Sequence, residues 1–102
     1  MKKLSLSSAP RVPFDLEGYI MHSSLTLEVI HLILQPGQVV SQHSSPFNVV
    51  VSLIEGEAAL IMSTNETRLT LYDVVEIEMN SDRGFINSGT TISRLLIPKK
   101  LH

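Results

Sequence analysis

The residues of this chain that could do chemistry are few and scattered. Its histidines are His22, His31, His43 and His102, and it has no cysteine. No thiolate can therefore act as nucleophile or metal ligand, and no disulfide can form. Ser44 and Ser45 follow His43, but adjacency alone does not activate a hydroxyl, which needs a base positioned in space. There is no glycine-rich phosphate loop, no nucleophile elbow and no His-Glu-x-x-His pattern. Glu55 and Glu57 flank Gly56 and read as a solvated hairpin turn rather than an acid pair. Arg83, followed by Gly84, has two readings. It is either a loop cation paired with Asp82, Asp73 or Glu78, or a fork of donors that suits a carboxylate or phosphate. A neutral imidazole hydrogen-bonded in or near the core is the expectation for His22, and a disordered terminus for His102.

The elements that must position these groups read as strands. The 102 residues, 43% of them hydrophobic, are enough for one core without a disulfide or a structural metal. One domain over 1–102 follows, with 1–10 a flexible N-terminal segment. Val, Ile and Thr supply 24 residues and Ala only three. Branched side chains lose rotamer freedom in helices and pack well on pleated sheets, so the mix favours β-structure. The net charge is −2, and all four lysines sit at the tips, at Lys2, Lys3, Lys99 and Lys100. That balance argues against a nucleic-acid footprint. No apolar run is long enough to span a membrane. Met1 to Ser8 lacks the continuous apolar stretch of a secretion signal, so a soluble cytoplasmic protein is the default expectation.

Turn signals recur at Pro36-Gly37, Glu55-Gly56, Thr64-Asn65-Glu66, Asn80-Ser81-Asp82 and Asn87-Ser88-Gly89. Such spacing is that of sandwiches and barrels. The runs between them predict strands at 18–22, 25–34, 38–43, 47–54, 57–63, 67–72, 74–78, 84–87 and 91–97. In the second run, polar Thr26 and Glu28 set the wet face, which turns Leu27, Val29, His31 and Ile33 inward. In the fourth, Val49, Val51 and Leu53 point inward, while Val50 and Ile54 share the outward face with Asn48 and Ser52.

The stretch from Gly37 through His43, Ser45 and Val49 to Gly56 resembles the first motif of the cupin superfamily, Gly-x5-His-x-His-x3,4-Glu-x6-Gly. The second motif, Gly-x5-Pro-x-Gly-x2-His-x3-Asn, falls in register on Tyr72, Glu78, Asn80, Arg83 and Asn87, of which only Asn87 keeps the family residue. Leu71-Tyr72-Asp73-Val74-Val75 looks like the Gly-Asp-Val-Val lead-in to that motif, and Leu95-Leu96-Ile97-Pro98 like the last strand of small single-domain cupins. The resemblance covers roughly residues 25–98. It implies an all-β, single-domain jelly-roll β-barrel, and for Asn87 a structural amide near the barrel mouth.

The departures bear on function. Metal-binding cupins use two histidines and a glutamate from the first motif and one histidine from the second. Here those four positions hold His43, Ser45, Val49 and Arg83. A valine offers no donor and an arginine repels a cation, so no metal and no other cofactor is expected. The leading reading is metal-independent binding of a small, anionic organic ligand in the barrel. His43 and Arg83 would face it, Ser45 and His31 would add polar groups, and Val49, Val51, Leu53 and Phe85 would form apolar walls. Such binding would strengthen as pH falls toward about 6. One alternative is a dioxygenase- or isomerase-type enzyme with a minimal metal centre at His43 and His31. The other is an interaction protein with no working pocket. The apolar outer face around Val50 and Ile54 implies a twofold homodimer, with Arg11-Val12-Pro13-Phe14 as a candidate exchanged strand.

Overall fold

The computed structural model describes residues 1–101, so His102 lies outside the described residues. The chain forms nine strands. They are β1 (Glu17–Ser23), β2 (Leu27–Leu34), β3 (Val39–His43), β4 (Asn48–Glu55), β5 (Ala58–Met62), β6 (Asn65–Leu69), β7 (Val74–Ile77), β8 (Arg83–Ile86) and β9 (Ser93–Lys100). All pairings are antiparallel. They make a five-stranded sheet in the order β1-β2-β9-β4-β7 and a four-stranded sheet in the order β3-β8-β5-β6. The described ladders thus define two separate sheets facing each other across one core. There is no helix among the described residues.

The core lies between the sheets. Leu32, Leu34, Val49, Val51, Leu53 and Leu95 come from the larger sheet, and Val40, Leu60 and Phe85 from the smaller. On β4 the odd residues point inward, with Val49, Val51 and Leu53 at 2%, 1% and 0% exposure. On β2 the phase is the reverse of that expected from Glu28. Leu32 and Leu34 belong to the core, so Val29, His31 and Ile33 lie on the other face of the sheet, where Ile33 is nonetheless covered. This strand is apolar on both faces, and Glu28 settles against Lys99 (3.3 Å) at the sheet's end instead of marking a wet side.

Two strand ends also differ from expectation, each for a local reason. β6 stops at Leu69 because Thr70 turns. Its backbone N–H and its hydroxyl both donate to Asp73 Oδ2 at 2.8 Å. Those bonds hold the Asp73 carboxyl below its ordinary value, the backbone bond contributing most. β9 runs past Pro98, which has no N–H to donate. The β4–β9 ladder pairs Val49 with Lys99 and then Ser52 with Leu96, so the proline falls in the interval between these partners.

Residues 11–16 fold back over the core of their own chain. Arg11 bridges to Tyr19, Val12 N–H donates to the Gly18 carbonyl (2.9 Å), and Arg11 Nη2 donates to the Leu16 carbonyl (3.2 Å). The stretch expected as an exchangeable strand is therefore engaged here by its own β1. Before it, residues 5–9 make a turn in which Ala9 N–H donates to the Ser5 carbonyl (2.9 Å).

Candidate functional site

A cavity of about 100 Å³ lies between the sheets, lined by Val49, Val51, Phe85, Val40, His43 and Arg83 among others. The two polar members meet through a bulge. β3 and β8 pair Val40 with Phe85 and His43 with Arg83, so that two residues of β3, Ser41 and Gln42, stand against one of β8, Gly84. A regular strand would put Val40 and His43 on opposite faces, whereas the extra residue turns both toward the cavity. Gly84 makes room for it. A Cβ there would stand 2.4 Å from the Val40 carbonyl oxygen and 3.0 Å from the Gln42 nitrogen, both backbone atoms. The Arg83-Gly84 dipeptide is thus a unit, one residue supplying the cation and the next admitting the bulge opposite.

Arg83 is only 5% exposed. Among the described residues no carboxylate lies within ion-pair distance of its guanidinium. Its hydrogen bond is a long one, from Nη1 to the Ser81 carbonyl at 3.5 Å. Burial lowers its pKa from the ordinary value, and the charge of Asp82 opposes that shift. Of the two readings of this arginine, the surface pair with Asp82, Asp73 or Glu78 is not formed. His43 stands at the more exposed end, where Nδ1 donates to the Ser41 carbonyl (3.1 Å). That bond leaves Nε2 as an acceptor.

The structure brings His43, Arg83 and Val49 together and leaves out Ser45 and His31, as well as Leu53 among the expected walls. Ser45 sits in the loop after β3, where its hydroxyl accepts from Phe47 N–H (3.3 Å). His31 is on the outer face of the larger sheet. Arg94 Nη1 donates to its Nε2 at 3.1 Å, and Glu55 holds Arg94 from the other side at 3.5 Å. Because a guanidinium only donates, that ring nitrogen carries the lone pair. The His31 pKa is lowered accordingly, first by burial and then by Arg94, against an opposing effect of Glu55. A centre built from His43 and His31 is not formed. Nor do the residues at the family's four metal positions fit a divalent ion, since Val49 has no donor and Arg83 carries a positive charge. Among the described residues no group of three or more His, Asp or Glu converges.

The sequence reading missed the N-terminal segment as part of the site. Val12, Phe14 and Leu16 close the cavity from the side, and their apolar alternation over 12–16 was the available signal. Asn87 is structural. It is 1% exposed, its Nδ2 donates to the carbonyls of Leu34 (3.0 Å) and Thr91 (2.8 Å), and its Oδ1 accepts from Gly89 N–H (2.9 Å).

Two positions where the second motif has glycine carry Tyr72 and Asn80, and both keep the left-handed backbone, at φ 71° and 64°. The register of that motif therefore survives in conformation where it is lost in residue type. No protein-family model matches the sequence, and no curated protein matches it. Solved structures do match. A protein with a double-stranded beta-helix domain from Klebsiella pneumoniae is 17% identical, has a TM-score of 0.82, and the match covers 98% of this chain and 90% of that one. A cupin superfamily protein from Desulfitobacterium hafniense is 13% identical over 95% of this chain and 87% of its own, with a TM-score of 0.77. The chain has the cupin fold. The polyketide cyclase RemF from Streptomyces resistomycificus shares this fold at 10% identity, over all of this chain (100%) and 80% of its own, with a TM-score of 0.85. Identities this low speak for the cupin fold alone, because one fold serves many chemistries.

Proposed function

We propose that this cupin-fold chain binds a small organic anion between its sheets without a metal. The observation that carries the reading is Arg83, a buried guanidinium with no carboxylate within ion-pair distance among the described residues. Burying such a charge is costly unless a partner compensates it. A carboxylate entering the cavity would supply that partner through charge-assisted hydrogen bonds, each contributing about 1.5–3 kcal/mol. His43 lines the same space and offers a second polar group, while Val49, Val51 and Phe85 form apolar walls. Enzymes occur among proteins of similar fold, RemF being named a cyclase. Here no nucleophile–base pair accompanies Arg83 and His43 among the described residues, so binding is favoured over catalysis. No helix among the described residues is long and apolar enough to cross a membrane.

The test is titration of the protein with acetate followed by amide and guanidinium chemical shifts. Saturable shifts at Arg83 and its neighbours, lost in Arg83→Met, are expected. Shifts that persist unchanged in Arg83→Met would overturn the reading.

A further inference from the structure

The cavity between the sheets is too small for a whole organic ligand. Its 100 Å³ is room for about three water molecules, whereas sites for such ligands run from about 300 Å³ upward. A groove of about 490 Å³ lies outside the cavity and shares Phe14, Leu16, Val40 and His43 with it. The groove runs between the 11–16 segment and β3. Its outer rim carries two large apolar side chains left in water, Phe14 at 71% exposure and Val39 at 52%. The two spaces are thus neighbours with four wall residues in common, the inner one lined by the buried Arg83 and the outer one rimmed by exposed hydrocarbon.

We propose that the ligand is a monocarboxylate with an apolar tail of several carbons, its head at Arg83 and its tail in the groove against Phe14 and Val39. The proposal rests on the anion-binding reading above and goes further by fixing the ligand's polarity and direction. Charge complementarity orients the head, because Arg83 is a buried cation with no carboxylate within ion-pair distance among the described residues. The apolar rim orients the tail, because covering Phe14 and Val39 removes hydrocarbon from water. The 11–16 segment becomes the specificity element. Its base is held by the Arg11 side chain on the Leu16 carbonyl and by Val12 on Gly18, so Phe14 is presented from an anchored loop.

The experiment titrates the wild-type chain with acetate, butanoate, hexanoate and octanoate, and with octanol as an uncharged control. Affinity is expected to rise about twofold per methylene, roughly half the logarithmic gain of full burial, because the groove is open on one side. Octanol should bind at least tenfold more weakly than octanoate. In Phe14→Ala, which removes an exposed ring from the rim of the groove, the chain-length dependence should flatten. Equal affinities for acetate and octanoate would overturn the tail and leave anion binding standing. Octanol binding as tightly as octanoate would overturn the head at Arg83. Absence of binding by every carboxylate would overturn anion binding itself, and this inference with it.

Discussion

Arg83 holds a charge where the surrounding side chains are apolar, and the molecule gives that charge little in return. Replacing a buried ionic group by an apolar one of similar volume is often stabilising. Arg83→Met is therefore expected to raise folding stability by about 1 kcal/mol while it abolishes carboxylate binding, the pattern of a residue kept for function at a cost in stability. Urea denaturation alongside the titration reads both, and a variant that is clearly less stable would show Arg83 to be structural. His31 lies on the outer face of the other, five-stranded sheet and does not line the cavity. Its folded-state pKa is depressed by burial and by Arg94. A depressed value means that the unfolded chain binds the proton more readily. Stability from this residue is thus present above about pH 6.5 and is lost as pH falls through the lower folded value. Denaturation at pH values on either side of that window should show a steeper loss in the wild type than in His31→Gln, and equal slopes would contradict the assignment.

At the scale of elements, the β3 bulge decides where His43 points, and Gly84 decides whether the bulge fits. Gly84→Ala would drive a Cβ into backbone atoms on the facing strand. The expected cost is about 2 kcal/mol, together with loss of the His43 response to carboxylates in an NMR titration. Retention of both stability and response would show that the strands can separate locally. The turn from Thr70 to Asp73 offers the opposite case. Tyr72 takes a left-handed conformation at 73% exposure, so its side chain contributes little packing there. Relief of that conformation is worth about 1–2 kcal/mol, and the extra freedom of glycine in the unfolded chain takes back a part. Tyr72→Gly is expected to raise the midpoint of thermal unfolding, and a fall would mean that the tyrosine ring makes contacts that matter.

The whole molecule presents the outer face of the five-stranded sheet to its surroundings. Val50 and Leu96 lie on that face at half-buried positions, and Val74 is 66% exposed beside Ser52 on the edge strand β7. Pairing this face across a twofold axis would cover all three, and a homodimer is the assembly we expect. Sedimentation velocity should give twice the monomer mass, and Val50→Lys should return the monomer. A wild-type monomer that does not change with concentration would rule the assembly out.

Much of the fold was legible because its signals are local. The β-branched composition, the turn residues at Pro36-Gly37 and Asn87-Ser88-Gly89, and the period of two in Val49, Val51 and Leu53 each report on a few neighbouring residues, and all nine strands followed from them. That His43 and Arg83 would meet was implied instead by the resemblance of the register from Gly37 to Asn87 to the two cupin motifs. The rest was decided by contacts between residues distant in the chain. β2 has hydrocarbon on both faces, so only its partners β1 and β9 and the sheet opposite could settle which side His31 would take. No local pattern announces a one-residue bulge, because it exists only relative to the strand it pairs with. Whether Arg83 would find Asp82 or the cavity depended on the direction in which β8 set its side chain. The chain's own residues determined what could be brought to the site, and the pairing of its strands determined which of them arrived.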